Sequence, residues 1–220
     1  MSVTKSPLIV SSQTTPHKNL AKLVLKYQIS EFQDSIPKHA VNAFQIANQF
    51  VSSNEVILDS GCGTGESSYR LADKFPEYKV VGVDKSIDRL ERSHAFGDQP
   101  ENLIFVQCDC VHLWRLIKDA NWNIDRQYLF YPNPWPKPGH LQRRWHGHPI
   151  FPTMIALGGV LTMRTNWKVY AQEFAQALDI ASVGKVDVKQ LELDVETAFT
   201  PFERKYIQSE HQLYEVVIAL

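Results

Sequence analysis

Val56-Ile57-Leu58-Asp59-Ser60-Gly61-Cys62-Gly63-Thr64-Gly65 is an aliphatic run that ends in a carboxylate and opens directly into a glycine-rich turn. Residues 56–59 have the composition of a short buried strand, and the glycines supply backbone freedom for a tight exit. Helical spacing begins at once over Glu66–Phe75, so the turn joins a strand to a helix. In that context backbone can come close to a ligand. The spacing is G-x-G-x-G and not the G-x-G-x-x-G of dinucleotide-binding turns. It suits a compact nucleoside with a short charged tail better than a pyrophosphate. Taken alone, the glycines also fit a tight turn with no ligand.

Outward from this stretch, strand-length apolar runs alternate with segments of helical length. Further strands are predicted over Lys79–Asp84, Leu103–Gln107, Gln127–Tyr131 and Val160–Thr165. Helices are predicted over Ser86–Phe96, Asp109–Ala120 and Asn166–Ser182, with Ser86, Asp109 and Asn166 as N-caps. Strand and helix in strict alternation mean a parallel sheet covered on both faces. The tail changes rhythm: 186–193 and 213–220 read as two strands joined by a loop, an antiparallel hairpin at the end of a doubly wound sheet. Ahead of β-type text, apolar spacing predicts helices within 19–51, and residues 1–18 read as a mobile basic arm before a single domain over 19–220.

Three carboxylates fall at the same predicted sheet edge. Asp59 ends the first strand, Asp84 ends the second, nineteen residues beyond Gly65, and Asp109 follows the third. Ligands of open α/β sheets bind outside the carboxyl ends of the strands, where an acid can accept both hydrogens of a ribose diol. Any one of the three could serve as a helix cap; together they favour a nucleoside site.

Composition narrows the function. The chain has 220 residues, 44% hydrophobic and 21% charged, with a formal net charge of -1, so bulk charge points to no polyanion. Its distribution does. Residues 1–30 and 127–172 carry nine Lys or Arg and no Asp or Glu, the asymmetry expected of a nucleic-acid partner. Cys62, Cys108 and Cys110 are odd in number and form no C-x-x-C pair, which argues against a disulfide framework. Together with the lack of an apolar run long enough for a signal or a membrane helix, this predicts a cytoplasmic protein with no membrane partner. Oligomeric state stays open between monomer and weak dimer. The histidines make no ligand pattern with a cysteine pair, so no metal is expected.

The glycine turn and its acids resemble the class I S-adenosylmethionine-dependent methyltransferases. That resemblance implies a Rossmann-like, mostly parallel seven-stranded sheet with a C-terminal antiparallel strand, and S-adenosylmethionine as cofactor. It places Gly61, Gly63 and Gly65 beside the methionine part, Asp84 at the ribose and Asp109 near the adenine, with Asp59 supporting the loop.

Past the fourth strand stands Tyr131-Pro132-Asn133-Pro134-Trp135-Pro136-Lys137, then Arg143 and Arg144. Prolines around Asn133 would hold its amide at the strand exit, and a Trp with basic residues on one loop suits base stacking and phosphate contact. With Thr165-Asn166-Trp167 and Thr200-Pro201-Phe202-Glu203, this segment resembles the bacterial tRNA (guanine-N7-)-methyltransferase family over roughly 56–203. The resemblance implies tRNA as partner. Asn133 would touch both cofactor and reacting edge as the catalytic residue, Lys137, Arg143 and Arg144 would hold phosphate, and Asn166, Thr200 and Glu203 would contact the base. Asn133 and Asn166 stand where that family has aspartate. A neutral amide accepts guanine N–H donors less strongly than a carboxylate. Two rivals follow: an amino-group methyltransferase, since Asn133-Pro134-Trp135 is similar to an N-P-P-aromatic motif, and a protein that binds S-adenosylmethionine or RNA without catalysis.

Overall fold

The computed structural model describes residues 5–220, so the part of the arm expectation that falls on 1–4 lies outside the described residues. Helices α1 (Leu20–Gln28) and α2 (Lys38–Val51) precede an alternating series. It runs β1 (Val56–Ser60), α3 (Glu66–Lys74), β2 (Lys79–Asp84), α4 (Ile87–Leu90), β3 (Leu103–Gln107), α5 (Cys110–Asp119) and β4 (Ile124–Phe130). After these come α6 (Phe151–Ala156), β5 (Val160–Thr165), α7 (Lys168–Ile180), β6 (Lys189–Leu191), α8 (Pro201–Gln208) and β7 (Leu213–Ala219). The strands form one seven-stranded sheet in the order β3-β2-β1-β4-β5-β7-β6. β1 pairs in parallel with β2 and β4, β2 pairs in parallel with β3, and β6 runs antiparallel to β7. This is the doubly wound, mostly parallel sheet that the alternation predicts.

The chain divides into two compact units. One unit comprises 34–130, 153–161 and 219–220; the other comprises the described residues up to Gln33 together with 131–152 and 162–218. In the first, every residue of β1 is buried, as expected of a central parallel strand. Register sets the strand ends level: Asp59 lies opposite Gly82, and Asp84 opposite Gln107. Trp114 of α5 is fully buried, and its indole N–H donates to Ser60 Oγ at 3.0 Å, so a large apolar body is placed without an orphaned donor. In the second unit, Tyr170 and Phe174 of α7 are fully buried, and Phe151 meets Phe174 edge to face at 5.8 Å.

Several local expectations are corrected. The helix predicted over 86–96 is one α-turn followed by a 3-10 segment over Glu91–Phe96, where Ser93, His94 and Phe96 are weak helix formers. The fourth strand starts earlier, at Ile124, and ends at Phe130, because Tyr131 turns out of the sheet with a positive φ of 50°. The tail strands are not joined by a loop alone: α8 lies between them, started by Thr200 as N-cap and Pro201 in its first turn. Asn166 is not the cap of α7, whose N-cap is Trp167. The arm makes hydrogen bonds to the rest of its unit. Ser11 Oγ donates to the Pro136 carbonyl at 2.5 Å, and the backbone N–H of His17 donates to Glu173 at 2.8 Å.

Candidate active site

The glycine turn takes its shape from left-handed backbone and a buried acid. Gly61, Gly63 and Gly65 have φ of 75°, 61° and 86°. A Cβ at Gly65 would stand 2.5 Å from Phe105, so that glycine is demanded by packing. Gly61 and Gly63 differ, since beyond the glycine and its chain neighbours no described atom lies within 4 Å of where their Cβ would be. Their backbone borders open space, as a ligand-cradling turn must. Gly61 and Cys62 both donate their N–H to the Val83 carbonyl, which lashes the turn to the end of β2.

Asp59, 1% exposed, accepts from Ser67 Oγ at 2.6 Å and Ser68 Oγ at 2.7 Å through one oxygen. Its other oxygen, Oδ1, is buried with no hydrogen-bond partner among the described residues. Burial pushes its pKa up to about 6, against the pull of the two serine hydrogen bonds and with help from the charge of Asp84. A buried, incompletely satisfied carboxylate at the root of an open turn fits a ligand that brings positive charge.

Asp84 is buried and already engaged. Oδ2 accepts from the Gly63 N–H at 3.1 Å and from Arg89 Nη1 at 3.0 Å, and Oδ1 accepts from the Ser86 N–H at 2.8 Å. A carboxylate offers about four acceptor sites, so a ribose diol would compete with Arg89, which is half exposed. Asp109 caps α5 as expected, accepting from the Val111 N–H at 2.9 Å. Beside it opens a cleft of about 670 Å³, lined also by Lys85, Gln107 and Cys108 and, from α2, by His39 and Asn42. That volume is in the range of small-ligand sites. Arg89, Lys85, His39 and Asn42 were not singled out from the sequence; only the positions of Lys85 and Arg89 just after the second-strand acid could have flagged them. Burial pushes the Cys62 thiol well above its ordinary range and that of Cys108 up to about 11, so both are linings and not nucleophiles.

The other unit holds the proline-tryptophan loop. Tyr131 and Trp135 are both in left-handed backbone, with φ of 50° and 45°, and bracket Pro132, Asn133 and Pro134. Such conformations cost a non-glycine residue about 1–3 kcal/mol each and persist only where the surroundings impose them. Asn133 and Lys137 are exposed. Arg143 is exposed too, with its guanidinium 4.7 Å from the centre of the Trp135 ring, a cation–π pair that presents one planar charge on one aromatic face.

Asn166 is half-buried beyond the end of β5, and its Nδ2 lies 3.0 Å from His211 Nδ1. The far nitrogen of His211, Nε2, lies 3.0 Å from the Ser6 carbonyl. A carbonyl can only accept, so Nε2 carries the hydrogen; in the neutral ring Nδ1 is then the acceptor, and the Asn166 amide nitrogen donates to it. Oδ1 of Asn166 is thereby left as an acceptor.

Three residues expected to contact substrate are engaged within the protein. Arg144 is fully buried and paired with Glu173 at 2.5 Å, so it cannot hold a phosphate in solvent. Glu203 is fully buried as well, and its oxygens accept from Tyr131 Oη, Arg164 Nη1 and the Phe199 N–H. Thr200 accepts from the Glu203 N–H at 2.9 Å. The Thr-x-x-Glu spacing forms a helix-start motif in which Thr200 and Glu203 satisfy backbone donors.

A glycine turn after β1, acids after β2 and β3, and this strand order define a methyltransferase-type Rossmann-like fold. Solved structures share it: an antibiotic-related methyltransferase (TM-score 0.59, 16% identity, covering 87% of this chain and 97% of that one) and a 16S rRNA (adenine(1408)-N(1))-methyltransferase from Catenulisporales acidiphilia, solved with cosubstrate SAM (TM-score 0.55, 16% identity, 86% and 94%). Residues 53–216 match the family described as putative methyltransferase, and the chain belongs to that family. Among curated relatives, the tRNA (guanine-N(7)-)-methyltransferase of Stutzerimonas stutzeri is 24% identical over 96% of both chains. That of Mannheimia succiniciproducens is 28% identical over 72% of this chain and 68% of its own.

Proposed function

We propose that this chain transfers a methyl group from S-adenosylmethionine to N7 of a guanine in tRNA, working in the cytoplasm. The observation that carries it is the glycine turn: Gly61 and Gly63 border open space, and Asp59 at its root keeps a buried oxygen without a donor. Those features fit a nucleoside bearing a cationic tail. The tRNA part is supported by relatives of that name that align along nearly their whole length.

The sulfonium of S-adenosylmethionine supplies, when bound, a methyl group that is already activated. Guanine N7 carries a free lone pair, so the protein has no proton to remove and its task is to hold the reactants in line. Gly61 and Gly63 let the methionine part approach, Asp59 answers its positive charge, and Gly65 keeps the turn in place against Phe105. Asp84 would hold the ribose diol in place of Arg89, and Asp109 with its cleft would take the adenine. On the substrate side, Asn133 orients the reacting edge and Asn166 accepts a guanine N–H through Oδ1, the group that its bond to His211 leaves open. Lys137 holds phosphate, and Arg143 on Trp135 combines phosphate contact with stacking.

Purified protein incubated with methyl-labelled S-adenosylmethionine and separate pools of tRNA, DNA and small molecules tests this directly. Label in tRNA supports it. Label in DNA or a metabolite but never in tRNA contradicts it, and cofactor binding with no transfer to any pool would make the chain a non-catalytic binder.

A further inference from the structure

We infer that the N-terminal arm is a built-in part of the substrate site, with Glu173 as a positioning residue for the loop 131–137. The activity arm of this inference rests on the function proposed above; the structural arm does not.

Glu173 is fully buried on α7 and is saturated with donors. Oε2 accepts from Arg144 Nη1 at 2.5 Å and from His146 Nε2 at 2.9 Å. Oε1 accepts from Gln13 Nε2 at 2.6 Å and from the His17 N–H at 2.8 Å. Two of these four donors come from the arm. Burial works to raise the Glu173 pKa, but its hydrogen bond from His146 and the charge of Arg144 outweigh burial and hold the carboxyl well below its usual range.

Arg144 carries the connection onward. Its Nε and Nη2 donate to the Trp135 carbonyl at 3.2 and 3.0 Å, and Nη2 also reaches Gln13 Oε1 at 3.0 Å. The backbone of the strained loop is therefore held by a buried guanidinium, which is held by Glu173, which is held by the arm. A second tie bypasses this relay: Ser11 Oγ donates to the carbonyl of Pro136 itself. A third runs from the Ser6 carbonyl through His211 to Asn166 and sets which face of that amide is free. Beside the arm's bonds to Ser209 and Glu210, these three ties end on the loop carrying Asn133 and Lys137 or on Asn166.

Side chains that carry no proposed contact to RNA or cofactor make the test clean. In the full-length protein, Ser11→Ala combined with Gln13→Ala removes the direct tie to Pro136 and the Gln13 bonds to Glu173 and Arg144, leaving only the His17 N–H on Glu173, without emptying the core, whereas Glu173→Ala strands a buried Arg and could unfold the unit. Exchange of the Tyr131, His140 and Arg144 amides, which donate to the Arg164, Lys137 and Leu141 carbonyls around the loop, should rise about tenfold in deuterated solvent for the loss of one or two such hydrogen bonds. The kcat/KM for tRNA should fall at least about tenfold because a small misplacement of a reacting loop is costly, while affinity for S-adenosylmethionine stays unchanged. Ser11→Thr, which keeps the hydroxyl, should behave as wild type. Unchanged exchange overturns the strap whatever the substrate proves to be. Raised exchange with unchanged kcat/KM overturns the positioning role, and wild-type protein inactive on tRNA with raised exchange in the variant keeps the strap while removing the proposed function.

Discussion

The hydroxyl of Tyr131 donates to Oε1 of the fully buried Glu203 at 2.6 Å. Arg164 reaches the same oxygen at 3.1 Å and also holds Glu215 at 2.8 Å. One phenol thus joins the exit of β4 to the start of α8, and it does so from left-handed backbone, a strained geometry that its bond to Glu203 helps to hold.

Tyr131→Phe should lower unfolding stability by about 1–3 kcal/mol, the range for leaving a buried charged acceptor short of a donor. Burial, then the nearby Glu203 carboxylate, drive the phenol pKa far above 10, so it stays a neutral donor and the loss should be the same at pH 7 and pH 9. Urea denaturation at both values checks this.

Gly65→Ala and Gly61→Ala should fail differently. At Gly65 left-handed strain adds to overlap with Phe105, for a loss of about 2–4 kcal/mol in stability. At Gly61 the space is open, so only about 1–2 kcal/mol of strain is expected, with the larger effect on cofactor affinity. Denaturation and calorimetry on both variants separate the two roles.

The first half of the site was legible because its chemistry lies in local pattern: a strand, a G-x-G-x-G turn and acids at successive strand ends. The second half was less so because burial decides it. Arg143 and Arg144 are neighbours in a basic run, yet one lies exposed on Trp135 and the other is sealed against Glu173, twenty-nine residues away in sequence. Thr200 and Glu203 carry the capping spacing in plain view, whereas the burial of Glu203 depends on Tyr131 and Arg164, distant in sequence. Of the nine basic residues that made two segments look positive, Arg144 and Arg164 are neutralised by buried acids. The polarity of the surface is thus milder than the sequence implies, and Lys137 and Arg143 carry it near the loop.

Asp59→Asn should change the pH dependence of stability. In the folded chain the Asp59 pKa is raised from 3.8 to about 6, so the stability linked to its protonated form is full below 3.8 and lost as pH rises through about 6. Above that the ionised group costs the fold on the order of 3 kcal/mol. The amide removes this slope, and the variant should be more stable than wild type at pH 7–8 while binding S-adenosylmethionine more weakly. Unfolding midpoints from pH 4 to 8, with calorimetry at pH 7.5, read both effects.

Arg89 competes for Asp84, so Arg89→Ala should leave affinity for S-adenosylmethionine unchanged or tighten it. Asp84→Ala should weaken it by about 1.5–3 kcal/mol, the worth of hydrogen bonds to a charged group. Calorimetric titration of both variants decides; a loss on removing Arg89 as large as that on removing Asp84 would mean that Arg89 itself touches the ligand.

The central claim concerns one atom. After reaction of the purified chain with methyl-labelled S-adenosylmethionine and unmodified tRNA, digestion to nucleosides and mass spectrometry should place the label in 7-methylguanosine. Label on an exocyclic amine of any base, or in no tRNA nucleoside while the cofactor is bound, would contradict it.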